Sequence, residues 1–154
     1  MKGELVGARV AIVALSMTAL VHSGCRGRDS VAQCGRLQSA IDGVSRQARE
    51  ALDRAPEASA GDLDAAASAL ERAGRELERV MLDDGELARF RERYCAIVAR
   101  AARIERQRRD LVVSPVAATS QNGSPMPKVQ EESVAVKRDE QKVRDEVSEW
   151  CGRL

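Results

Sequence analysis

Along the chain, apolar residues recur at spacings of three and four in four stretches, the pattern of helices that bury one face. Over 30–55 the stripe is Val31, Cys34, Leu37, Ile41, Val44, Ala48 and Leu52. Asp29 or Ser30 is placed to cap its start, and Pro56 blocks its continuation. The segment 57–61 (EASAG) reads as a loop. The second stretch, 62–82, carries Leu63, Leu70 and Leu77 seven apart, with Ala66, Ala73 and Val80 between them, a narrow seam of the bundle type. Asp62 is its predicted N-cap. Asp83-Asp84-Gly85 reads as a short turn in which Gly85 can take a positive φ. The third stretch, 86–111, puts Leu87, Phe90, Tyr94, Ile97, Ala101, Ile104 and Leu111 on one face. The fourth, 132–152, has the weakest stripe: Val136, Val143, Val147, Trp150 and Leu154, with Gly152 as C-cap.

Pro115, Asn122-Gly123, Pro125 and Pro127 interrupt the chain before the fourth stretch. A flexible linker over about 114–130 is the reading this composition supports. Short connections make the first three helices antiparallel neighbours. A fourth running back completes an all-α, antiparallel up-down-up-down four-helix bundle occupying 25–154. Extended, about 20 residues of linker reach roughly 66 Å, and a helix of about 26 residues is only about 39 Å long. A crossing linker with a parallel fourth helix is therefore the competing topology.

Ahead of the first helix the pattern changes. The run 10–21 (VAIVALSMTALV) is apolar and follows Lys2 and Arg9. About a dozen residues fall short of the roughly 20 that span a bilayer, and they suit the core of an export signal over 1–24. Ser23-Gly24-Cys25 then resembles the end of a bacterial lipobox, with His22 where the lipobox has a Leu-like residue. The resemblance implies that Cys25 is lipidated and becomes the new N-terminus. Arg26 in place of a retention aspartate implies an outer-membrane lipoprotein facing the periplasm. Ordinary cleavage after Ser23, guided by Val21 and Ser23, is the alternative and would release a soluble periplasmic protein.

Composition narrows the chemistry. Aromatic residues are 2% of the 154, too few for a β-sandwich or barrel. The net charge of +1 gives no global attraction for nucleic acid, and export removes the chain from it. The one histidine, His22, lies inside the export signal, which leaves the exported part without a histidine as metal ligand or catalytic base. No metal, cofactor or catalytic residue is expected. Acidic runs such as Asp139-Glu140 and Asp145-Glu146 have the spacing of a helix surface.

The cysteines are Cys25, Cys34, Cys95 and Cys151. Export favours a disulfide. In the up-down-up-down arrangement Cys34 and Cys151 lie at the same end on neighbouring helices. Cys95 is offset by several residues, roughly 8 Å, which is beyond disulfide reach. A Cys34–Cys151 bond with Cys95 unpaired follows, all-reduced cysteines being the alternative. Arg100, Arg103, Arg106, Arg108 and Arg109 concentrate positive charge near the end of the third helix. They could hold an anionic partner. They also suit the helix dipole, with Glu57, Asp62, Asp64, Glu131 and Glu132 placed to neutralise them.

Cys34-Gly35-Arg36-Leu37 near the mature start and Trp150-Cys151 near the end resemble small helical envelope lipoproteins of the myxobacterial type. The resemblance implies a cysteine-closed bundle and supplies no activity. The expected role is a non-catalytic, lipid-anchored envelope module that contacts an envelope protein or the cell wall. A soluble periplasmic bundle holding an apolar or anionic ligand is the alternative.

Overall fold

The computed structural model describes residues 10–52, 58–114 and 126–154, with side chains described at 29–50 and throughout the two later segments. Lys2, Arg9, Pro56, Glu57 and linker residues 115–125 lie outside the described residues, as do the side chains of His22, Ser23 and Cys25. The described chain forms four helices: α1 (Val10–Leu52), α2 (Ala60–Glu78), α3 (Gly85–Val113) and α4 (Met126–Cys151).

Side-chain pairings fix the directions. Arg93 meets Glu146, Arg100 meets Asp139 and Arg108 meets Ser133, so α3 and α4 are antiparallel. Arg91 reaches the Val80 carbonyl, whereas Arg106 reaches Glu71, so α2 and α3 are antiparallel. Cys34 joins Cys151 while Arg144 reaches Asp42, so α4 also runs against α1. This is the up-down-up-down bundle, and the crossing-linker topology is excluded. The four helices are not arranged as a square. α1 packs on α3 across the middle, and α2 and α4 do not touch. α3 therefore contacts every other helix.

The apolar stripes face inward as their spacing requires. Leu37, Leu70, Leu77, Leu87, Tyr94 and Val136 are among the buried side chains. Small residues let the axes approach: Ala66, Ala67 and Ala73 of α2 and Ala101 and Ala102 of α3 are all buried. At Gly74 an added Cβ would already lie 3.6 Å from a Val98 methyl.

Several predicted boundaries are corrected. α1 does not start at Ser30 but continues unbroken from Val10, and Val31 is 54% exposed because its stripe runs past the end of the bundle. The N-cap of α2 is Ser59, not Asp62. Asp62 is the N3 residue of a capping box: its backbone N–H donates to Ser59 Oγ at 3.2 Å, and its carboxylate accepts from the Ser59 N–H. α2 stops at Glu78, short of residue 82. The turn that follows is held by Gln33 of α1, whose Oε1 accepts from the Asp83 and Asp84 N–H groups at 2.6 and 3.0 Å. Asp84 caps α3 through the N–H groups of Glu86 and Leu87. Gly85 is the first helical residue and does not take the left-handed conformation. α4 begins at Met126, inside the predicted linker. Pro127 sits in its first turn, where no intrahelical N–H is lost, and Val129 and Ser133 are buried. Leu154 is exposed past the end of α4.

The Cys34–Cys151 bond, with Cα atoms 5.8 Å apart, joins positions separated by 117 residues. Closing so long a loop is worth about 4–5 kcal/mol in the chain-entropy model.

Arg108–Ser133 contact brings the end of α3 beside the start of α4, so residues 115–125 need bridge only neighbouring helices, about 10 Å apart. A Gly/Ser loop of about six residues reaches roughly 20 Å. Replacing 115–125 with it should leave the Tm within about 4 °C, because closure entropy varies slowly with length. Thermal unfolding followed by circular dichroism checks this, and a larger loss would mean that the segment packs on the bundle.

Candidate functional site

Glu140 belongs to the inward stripe of α4, four residues after Val136 and three before Val143, and is 9% exposed. This corrects the reading of Asp139-Glu140 as helix surface. Its Oε1 accepts hydrogen bonds from Ser45 Oγ of α1 at 2.5 Å and from the Tyr94 hydroxyl of α3 at 2.9 Å. Arg144, one turn on, places Nη1 3.7 Å from the same oxygen and 3.1 Å from Ser45 Oγ. Its Nη2 donates to Asp42 at 2.8 Å. Arg49 Nη2 lies 3.8 Å from Glu140 Oε2. Three helices thus meet on one carboxylate, which has two hydroxyl donors and a guanidinium on each flank.

Outside this hub an open groove of about 650 Å3 lies along α1 and α4, lined by Asp42, Ser45, Arg46, Arg49, Glu50 and Arg144. A second depression, lined by Gln38, Ile41, Val147 and Ser148, shares Asp42 and Arg144 with it. Arg46 carries no ion pair among the described residues, and Arg49 has only the long one to Glu140. The lining can therefore offer two guanidiniums to an anionic group. Asp42, Glu50 and Glu140 keep the local charge balanced.

A second carboxylate, Glu105 of α3, is wholly buried. Its Oε1 accepts from Arg108 Nη1 at 3.1 Å, and Arg108 Nη2 donates to Ser133 Oγ of α4 at 3.1 Å. The predicted basic patch is therefore largely engaged. Arg100 pairs with Asp139 at 2.7 Å, Arg106 with Glu71 at 2.7 Å, and Arg109 with Asp64 at 3.0 Å and Asp110 at 2.7 Å. Arg103 is exposed and has no ion pair among the described residues. Of the carboxylates expected to neutralise this end, Asp64 does so.

Cys95 is the free cysteine among the described residues. It is half-buried, with Sγ 3.9 Å from the Gly74 carbonyl oxygen. Burial, reinforced by Glu78, pushes its thiol up from the ordinary cysteine range, away from a reactive thiolate. At the surface Arg93 donates to Glu146 at 2.5 Å, which holds that carboxyl below its usual range. The Arg93 guanidinium also lies 5.9 Å from the Phe90 ring centroid. Arg93 is exposed and Glu146 partly so, and solvent and salt screen the pair. Among the described residues no three potential metal ligands come together.

The sequence reading missed Glu140, Glu105, Ser45, Ser133 and Gln33. The signal was available for Glu140: 136, 140, 143 and 147 form one unbroken run of fours and threes. No protein-family model, curated protein or solved structure matches the chain.

Tyr94 is the only tyrosine, so absorbance near 295 nm reports its ionisation alone. Burial raises its hydroxyl well above the ordinary phenol range, and the neighbouring Glu140 adds to the shift. In the unfolded chain it ionises near pH 10. The folded state therefore binds the proton more tightly, and its contribution to stability is full below about pH 10 and lost as pH rises beyond. In an alkaline titration, phenolate should appear only together with the loss of helical circular dichroism. Phenolate forming near pH 10 in a folded protein would contradict the buried hub.

Proposed function

We propose that this chain is a non-catalytic, lipid-anchored protein of the bacterial cell envelope, an interaction or structural module held at the periplasmic face of the outer membrane by an acylated Cys25. The observation that carries the reading is the continuity of α1. The helix runs without a break from the apolar segment 10–21, through Gly24 and Cys25, into the bundle. Cys25 then precedes Cys34 by nine residues on one helix, at the end of the bundle that Cys151 closes. A disulfide at that position suits an oxidising compartment. Among the described residues no helix is long and apolar enough to cross a membrane. An acyl anchor is the means of attachment that fits. The bundle's flanks, including Arg103 and the α1–α4 groove, remain open to an envelope protein or to the cell wall.

The groove favours a second reading. Arg46 and Arg49 would hold an anionic ligand in a protein released by cleavage after Ser23.

Metabolic labelling with a palmitate analogue separates the two. The protein should carry the label, Cys25→Ser should abolish it, and the mature N-terminus should be blocked. An unlabelled protein whose N-terminus sequences as Gly24 would contradict the anchor and favour the soluble form.

A further inference from the structure

We propose that the end of the bundle closed by Cys34–Cys151 is a lipid-facing surface, which lies against the membrane headgroups and sets the bundle upright on its anchor. The proposal rests on the reading of Cys25 as the anchored residue. Three elements converge at this end. Gln33 of α1 holds the α2–α3 turn through the Asp83 and Asp84 N–H groups, and Cys34 holds the end of α4. Each element then presents an apolar side chain beyond that layer. Val31 stands on the inward stripe of α1 one turn above Cys34 and is 54% exposed. Met81, in the turn, is 79% exposed, and Leu154, one turn past Cys151, is 52% exposed. Trp150, the neighbour of Cys151, is half-buried against the core.

The neighbouring charges are mostly tied down. Asp84 is occupied in capping α3, Glu86 pairs with Arg89, and Glu149 pairs with Arg153 at 2.7 Å. Asp29 and Asp83 stay exposed here, so part of the repulsion from headgroup phosphates remains.

The occupant follows from where α1 leads. Cys25 is six residues before Val31 on an unbroken helix, a rise of about 9 Å. That rise is close to the thickness of one headgroup layer, so a bundle anchored at Cys25 rests its closed end on the headgroups. A lipid surface anchored at Cys25 thus meets Val31, Met81 and Leu154 directly. An intervening protein would have to fit within that layer.

Trp150 is the only tryptophan, and it reports this end of the molecule. The experiment uses the full chain purified from its membranes and reconstituted into phosphatidylethanolamine–phosphatidylglycerol vesicles. One set of vesicles carries a nitroxide on the headgroup. The protein should float with both sets, and Trp150 emission should be about twofold weaker in the nitroxide set, as for a ring within the interfacial layer. The triple variant Val31→Ser, Met81→Ser, Leu154→Ser changes only exposed side chains. It should still float, with equal emission in the two sets. Wild-type protein that floats but is unquenched overturns the lipid-facing end and leaves the anchor standing, with a protein partner as the occupant. Quenching of the triple variant to the wild-type degree also overturns it. Failure to float overturns the anchor and the docking together.

Discussion

The Glu140 carboxylate holds three helices at one level, and the register of the bundle depends on it. Buried donors from α1 and α3 converge on a single oxygen of α4. A slip of any of these helices by one turn, about 5.4 Å, would leave the Tyr94 hydroxyl and Ser45 buried without a partner. Each stranded group costs about 1–3 kcal/mol. The apolar contacts alone impose no such penalty. A core of Ala, Val and Leu at heptad-like spacing accepts neighbouring registers with similar burial, and a polar group at one core position distinguishes them. Here that group is Glu140. Arg144 and Arg49 offset its burial from the groove side.

The α1–α4 seam shows why such a device is needed. A groove opens along these helices, lined by polar and charged side chains such as Asp42, Arg49 and Arg144. Two pins hold them: the disulfide at Cys34 and the hub at Ser45. Eleven residues separate the pins, about 16 Å of helix. The first pin is covalent and limits the unfolded chain. The second is directional and limits the folded one. α3 needs neither pin against α2, where buried alanines and Gly74 allow close contact along the seam. The result is a bundle closed at one end by the disulfide and grooved along one flank.

The helices were legible in the sequence because their apolar stripes are regular, and the disulfide because helix direction and height leave one pair in reach. Boundaries were less so. Asp62 resembles an N-cap, but Ser59 three residues earlier completes a reciprocal box that a lone Asp cannot form. Pro127 resembles a breaker, yet it is tolerated in a first turn. The polar core was missed for a different reason. Glu140 and Glu105 sit beside other charged residues, and a charged pair reads as surface until the partner helices are known. Ser45 and Tyr94 lie 95 and 46 positions from Glu140 in the sequence. No local pattern encodes that convergence.

The hub is the feature on which the register of the bundle rests. A double-mutant cycle between Tyr94→Phe and Glu140→Leu, measured by urea unfolding, tests it most directly. Both substitutions should destabilise, and together they should cost about 1–2 kcal/mol less than their sum, the coupling of a shared buried hydrogen bond. Effects that add to within about 0.5 kcal/mol would show that the two side chains do not act on each other, and would contradict the account.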